Sequence, residues 1–367
     1  MRKDYQIECL NEIQTPSLIY YEDLIEHNVH EVIGSVSDVS RLWPHVKTFK
    51  MKEVVEILMS NGISRFKCAT LSEALMVASC GPDAILVAYP MIGREAELYA
   101  KISSMYPGIE FFTIVDDFES TRYLGAKATE YNVDANVLID VNAGLDRTGI
   151  DFDKVNSLAR AISELASVKL RGLHVYDGNI HMASLTERQQ RIKELDAEIC
   201  ESIIGLKSLG FDNPIVVTGS TGTTPYHSLP DFGYLSPGTS FIHDYGYSEL
   251  YSDLRCIPAG LVATRVISHP GEGLFTLDLG YKAIGAEMSG PAGKLLDVDA
   301  EPVLQNEEHW VWKVGKDHDI PPIGTILFVI PTHICSTTNL YSYVYAVKEN
   351  KITALWKTVA RNRYVDL

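Results

Sequence analysis

The sequence is short of several things, and each shortage removes a class of function. Positive charge is scarce: 32 Lys and Arg stand against 48 Asp and Glu, a formal charge of -16 at pH 7. That excess of acid repels polyanions, so neither nucleic acid nor an anionic membrane is an expected partner. Long apolar runs are missing too. The opening MRKDYQIECLNEIQTPSLIYY has basic residues with no hydrophobic stretch behind them, and no 18-residue apolar segment follows. Neither a secretory signal nor a membrane span is expected. Cysteine is sparse and scattered, at positions 9, 68, 80, 200, 256 and 335, with no C-x-x-C pair. That usage suits a reducing cytoplasm better than a disulfide framework. Internal repeats and low-complexity segments are absent as well.

What is present is ample apolar material, 46% of 367 residues, enough for a large core and more than one domain. From residue 15 to about 240, short β-rich runs alternate with helical patterns. Strands are expected at 17–21, 46–48, 65–69, 84–89, 110–115, 135–141, 168–175 and 214–218. Helical periodicity fills the gaps, notably at 51–61, 71–80, 95–105, 118–131, 152–165 and 185–209. About eight such repeats fit a (β/α)8 barrel more simply than an open α/β sheet, which is the alternative. After about residue 241 long helical stretches give way to β-like runs separated by Gly, Pro and Asp. Residues 241–367 therefore read as a mostly antiparallel β-domain, joined by the N-terminal segment 1–14.

Three stretches carry chemistry. In PHVKT at 44–48, Lys47 falls at the end of an expected early barrel strand, the end where barrels gather function. A partly desolvated lysine there can condense with an aldehyde; the plainer reading is a surface lysine. The small-residue turns TGSTGTT at 218–224 and SPGTS at 236–240 offer backbone N–H groups to a phosphate dianion, although such turns are commonly only turns. In PTHICS at 331–336, His333 and Cys335 lie two apart, on one side of an extended segment. An imidazole and a thiolate suit zinc and leave positions open, as a catalytic ion needs; the plainer reading is a buried cysteine beside an ordinary histidine. Arg147, in DVNAGLDRTG at 140–149, can pair with an anionic oxygen. His174, Tyr176 and Asp177 end another strand, and Tyr281 can be core, interface or catalytic.

Taken in order, PHVKT at 44–48, DVNAGLDRTG at 140–149, LSPGT at 235–239 and PTHIC at 331–335 resemble one group: the D-threonine aldolase and D-serine dehydratase family of alanine racemase-like, fold-type III pyridoxal-phosphate enzymes. Bacterial D-threonine aldolase-like members look most similar, from YDG at 176–178, RVIS at 265–268, EEH at 307–309 and the C-terminal WKTVARNR. The resemblance implies an alanine racemase-like barrel followed by a β-domain, in a homodimer with shared active sites. It implies pyridoxal 5'-phosphate held by Lys47, with Arg147 near the cofactor's oxygen, Tyr176 in contact, and Gly219, Ser220, Gly238 and Thr239 around the phosphate. It implies a divalent ion on His333 and Cys335, zinc before manganese or magnesium. The activity implied is retro-aldol cleavage of a small D-β-hydroxy amino acid such as D-threonine to glycine and an aldehyde. The alternatives are a D-serine or D-3-hydroxy-amino-acid dehydratase, a racemase with Tyr281 as second base, and a non-catalytic cofactor carrier. Three departures stand out: Cys335 stands where aldolase members often have aspartate and dehydratase members have cysteine, which leaves the reaction open, and Phe49 and Asn179 occupy positions where this family commonly has histidine.

Overall fold

The computed structural model describes residues 5–316 and 318–367. The chain divides into two compact units, one comprising Ile33–Lys47, Lys52–Gly238 and the C-terminal Asn362–Leu367, the other the chain up to Val32 with Thr48–Met51 and Thr239–Arg361. In chain order the strands are β1 (Ser17–Tyr21), β2 (Arg65–Cys68), β3 (Ala84–Pro90), β4 (Glu110–Val115), β5 (Ala135–Asn142), β6 (Val168–Tyr176), β7 (Ile215–Thr218) and β8 (Gly233–Leu235). They continue as β9 (Gly260–Gly271), β10 (Leu274–Leu277), β11 (Gly293–Leu295), β12 (Ala300–Gln305), β13 (Trp310–Val314), β14 (Ile326–Pro331), β15 (Tyr343–Lys348) and β16 (Lys351–Lys357).

In the first unit, β2 to β8 form one sheet in sequential order, every neighbouring pair parallel. The eighth stave is not where the pattern placed it. Val46–Thr48, expected as a strand, is a single 3-10 turn, and the extended residues just before it close the ring. Trp43 N–H donates to Leu235 O at 2.7 Å and His45 N–H to Pro237 O at 2.8 Å, on the β8 side. On the β2 side, Lys67 N–H donates to Pro44 O at 2.7 Å, and parallel bridges join Leu42 to Leu235 and His45 to Lys67. Trp43, Leu86, Phe112, Leu138 and Val217 fill the ring's interior. The Trp43 ring meets Phe112 and Tyr234 edge-on, at 5.3 and 5.5 Å, and its indole N–H donates to Phe66 O at 2.7 Å. Period-2 alternation then sends Arg65 and Lys67 inward as well: the Arg65 guanidinium lies over Trp43 and Tyr234, and Lys67 is 2% exposed.

Local signals fix the turns above this ring. Thr70 caps the helix Leu71–Ala78 by accepting from Glu73 N–H at 3.1 Å, while the Glu73 carboxylate reaches back to Ala69 N–H at 2.6 Å, a capping-box arrangement directly after β2. Gly172, at φ +142°, permits a register shift in β6, because a Cβ there would lie 1.9 Å from Ile215 O.

In the second unit the strand order is β12-β13-β10-β9-β1-β15-β16, with β14 on β9 and β11 on β14. Ser17–Tyr21, read from the sequence as opening the barrel, belongs here: it runs antiparallel to β9 and parallel to β15. Tyr5, Ile19, Tyr21, Leu261, Phe328 and Val347 contribute to one core cluster of this unit. No helix among the described residues is long and apolar enough to cross a membrane.

Gly172→Ala is expected to lower stability by about 2–4 kcal/mol, since the backbone conformation and the β7 carbonyl both oppose a side chain. Thermal unfolding with an unchanged midpoint would contradict this account of the shift.

Candidate functional site

At the C-terminal ends of the barrel strands, three cations gather on one aromatic ring. Lys47 Nζ is 5.8 Å from the centroid of the Tyr176 ring, Lys67 Nζ 5.6 Å, and the Arg147 guanidinium carbon 4.9 Å. Tyr176 can lie in this place because the next residue but one is glycine: a Cβ on Gly178 would meet its ring at 2.4 Å. The cations do not neutralise the nearby carboxylates by direct pairing, because those carboxylates are engaged elsewhere. Asp140 accepts from the His174 ring at 2.7 Å and from the Thr148 hydroxyl at 2.7 Å. Asp177 accepts from His227 at 2.9 Å, and Asp196 holds the other nitrogen of His227 at 2.6 Å.

Burial works to raise the Asp140 carboxyl, but its bonds to His174 and Thr148, with Arg147 nearby, keep it below the usual range. Burial pushes the His174 imidazole down, outweighing Asp140. The ring is then neutral, with its proton on Nδ1 toward the carboxylate. Its Nε2 is buried with no hydrogen-bond partner. Burial and the Lys47 amine together draw Lys67 down to about 7, against the pull of Asp177 and Asp140.

The small-residue turns follow β7 and β8. The N–H groups of Gly219, Gly222 and Gly238 have no acceptor among the described residues. Ser220 N–H is engaged by the Thr223 hydroxyl at 2.8 Å. Asn179, standing where an imidazole was expected, donates to Ala143 O at 2.8 Å and pins the loop that carries Arg147. Phe49 is fully buried.

In the second unit, PTHIC is not the extended segment the spacing suggested. His333 is the N-cap of the helix Ile334–Leu340, and Cys335 lies in its first turn. The His333 ring is bonded to Glu287, which also receives the Ser336 hydroxyl. Cys335 Sγ is 3.2 Å from the Thr48 hydroxyl and 3.3 Å from that of Thr239, so Thr239 is engaged with sulfur. Asp244, almost fully buried, accepts from Ile334 N–H at 3.1 Å. Tyr281 is half-exposed, its hydroxyl bonded to Gln305 O. With Glu287, Ser336 and Leu340 it lines an open cleft of about 570 Å³. Among the described residues no group of three or more His, Cys, Asp or Glu converges as a metal site.

Sequence reasoning missed Lys67 and Glu287. Lys67 had a signal, a lysine at the inward phase of a short barrel strand; Glu287, 46 residues from His333, had none.

Known proteins match the chain along nearly its whole length. The family model "Alanine racemase, N-terminal domain" covers residues 22–246, and "Putative serine dehydratase domain" covers 259–347. A D-threonine aldolase of Arthrobacter sp is 26% identical over 96% of this chain and 94% of that protein. A 3-hydroxy-D-aspartate aldolase of Paracoccus denitrificans (strain Pd 1222) is 25% identical over 96% and 93%. The crystal structure of D-threonine aldolase from Filomicrobium marinum superposes with a TM-score of 0.87 at 22% identity, covering 96% of this chain and 97% of that one. The fold is alanine racemase-like.

His227 supplies a pH test of the scaffold under Tyr176. Burial opposes its charge, but Asp177 and Asp196, one at each nitrogen, carry it from 6.5 up to about 9. A raised folded-state pKa means stability that is complete below about 6.5 and fades as pH rises through about 9. His227→Gln is therefore expected to cost up to about 3 kcal/mol on the acid side of that window and far less on the alkaline side. Urea unfolding that gave the same loss on both sides would refute the ionised triad.

Proposed function

Because the chain belongs to the alanine racemase N-terminal domain family and its match continues into a serine dehydratase-type domain, we propose that it is a pyridoxal-phosphate-dependent, metal-assisted lyase that cleaves D-threonine-like β-hydroxy amino acids to glycine and an aldehyde. The observation that carries this reading is the cradle around Tyr176. It presents amines to an aldehyde, cations without ion-pair partners to a ring oxygen, unsatisfied backbone N–H groups to a phosphate, and an orphaned buried imidazole nitrogen. Those are the complements of pyridoxal phosphate, group for group. When bound, that cofactor supplies an aldehyde that condenses with amines and a pyridine ring that accepts the electron pair of the breaking bond.

Lys47 would hold the aldehyde of the cofactor, and its amine would be a group able to carry a proton at the same place. Arg147 would face the ring oxygen, kept in place by the Asn179–Ala143 bond at the base of its loop. Gly219, Ser220 and Gly238 would receive the phosphate, with Thr239 following in sequence. His174, oriented by Asp140, would present a neutral nitrogen without competing for protons. His333 and Cys335 would hold a divalent ion, zinc before manganese or magnesium, able to polarise a substrate hydroxyl. Glu287 on the imidazole is the outer partner such ligands use. Thr48 and Thr239, which share a unit with the metal pair, both hold Cys335 through their hydroxyls. Tyr281, in the cleft with Glu287 and Ser336, is a further candidate for proton transfer. The same reading takes the chain as a homodimer.

The dehydratase reading uses the same metal pair, with Lys47 removing the α-proton and hydroxide leaving. Its support is the second domain's family.

Incubated with D-threonine, the chain is expected to release glycine and acetaldehyde; a 2-oxo acid and ammonia as the products would replace the aldolase with the dehydratase. Lys47→Ala should abolish the visible cofactor band and cut turnover by at least about three orders of magnitude. A retained band would move the lysine assignment elsewhere. Removing metal with a chelator, or Cys335→Ala, should lower activity by at least about 100-fold, the loss of several kcal/mol of charge stabilisation; full activity after exhaustive chelation would remove the ion from the mechanism.

A further inference from the structure

Lys67 has no part in the chemistry assigned to Lys47, Arg147 and the metal pair. It is a lysine on the interior face of β2, 2% exposed, at a phase where the other staves carry Leu86, Leu138 and Val217. Its amine makes no hydrogen bond and no ion pair within 4 Å among the described residues, and lies over the Tyr176 ring at 5.6 Å from the centroid. A buried ammonium in that condition is costly, and a methionine or leucine would fill the same space without the penalty. Compensation from the scaffold is partial and indirect. The two carboxylates that act on it, Asp140 and Asp177, give their hydrogen bonds to His174, Thr148 and His227. The two cations that act on it, Lys47 and Arg147, add to the same sign of charge. His174, a further titratable neighbour, is held down by burial, and Lys67 and Arg147 add to that effect. A chain of net charge -16 thus gathers three basic side chains on one ring, none of them in a direct ion pair among the described residues, while Asp140 and Asp177 act on Lys67 only through space.

We propose that Lys67 is a charge-regulating residue of the cofactor cradle, an amine that takes up a proton to meet the anionic ring oxygen of the bound cofactor over Tyr176. The phosphate has its own receptors in the unsatisfied glycine N–H groups after β7 and β8. Lys47 is occupied by the aldehyde, so Arg147 and Lys67 remain for the oxygen. Arginine stays charged at all working pH values, whereas the burial of Lys67 and its neighbour Lys47 make it the member that titrates. Occupancy and protonation are therefore linked: the oxygen stabilises the ammonium, and the ammonium the oxygen.

This rests on the pyridoxal-phosphate reading, and the test separates the two. The visible band of the full chain loaded with pyridoxal phosphate is followed through a pH titration for the wild type, Lys67→Met and Lys67→Arg, without amino acid and then with glycine. The wild-type band should show a transition across neutrality. Lys67→Met, which fits a buried site, should lose that transition or displace it by about one pH unit or more and bind the cofactor more weakly. Lys67→Arg should keep the spectrum of the acidic form throughout. A Lys67→Met titration superimposable on the wild type, or a wild-type transition seen only with glycine present, would overturn the assignment of Lys67 to the ring oxygen while leaving the cofactor reading intact. Should Lys67→Met not fold, a Lys67→Arg spectrum that still titrates like the wild type would overturn it equally. A wild-type chain that acquires no band would overturn both.

Discussion

Four residues, Leu42–His45, carry the constraint on which the barrel mouth depends. They are too short a run to stand as a strand alone, yet their backbone groups join β8 to β2 and turn an open seven-stranded sheet into a ring. Trp43 anchors them from inside, its indole against Phe112 and Tyr234 and its N–H on the β2 backbone. With the stave held from both sides and from within, the 3-10 turn that follows it has no freedom to wander. Lys47 is delivered to the mouth by that turn, as Lys67 is by the neighbouring strand through the His45 bridge. The two amines meet the same aromatic ring because the stave just before Lys47 is bonded to Lys67 through Pro44 O.

A second layer of constraint lies beneath Tyr176. The residue is aimed by the strand register of β6, which Gly172 shifts, and by the space that Gly178 leaves for the ring. Asp177, between Tyr176 and Gly178, is locked to His227, and His227 to Asp196 on the helix Leu185–Ser208. Ionic groups are thus spent on orientation just outside the ring, while the groups facing its mouth are left with unmet charge. Stability and readiness to bind are built from the same residue types, separated by whether the partner belongs to the chain.

Much of this was legible in the sequence, and the gaps have physical causes. Parallel strands buried on both faces read as plain apolar runs, so 84–89, 110–115 and 135–141 were found with little error. The same property misled at Ser17–Tyr21, because an apolar run carries no mark of the sheet it joins. The stave at 42–45 was placed a few residues late, since Pro44 and Trp43 obscure an extended segment whose identity comes only from pairing with β8, nearly two hundred residues on. His333 and Cys335 were picked out by type, but their spacing was read on the wrong element: an N-cap and a first helical turn also bring positions i and i+2 close. Lys67 went unnoticed because a lysine ordinarily marks the outside of a strand.

Phe49 and Asn179 show how a family motif changes without losing its frame. Phe49 is fully buried, so the position serves packing rather than proton transfer. Asn179 keeps one function an imidazole could not perform as well: its amide N–H binds Ala143 O in the loop that bears Arg147, and a Cβ on Gly144 would lie only 3.1 Å from that amide nitrogen. Holding that loop holds Arg147 on Tyr176. Against a protein surface dominated by carboxylates, a cationic mouth with low-dielectric walls concentrates the field where small anions bind and repels larger polyanions from everything around it. The acidity of the whole chain and the basicity of the mouth are therefore complementary features, the first repelling polyanions and the second attracting small anions.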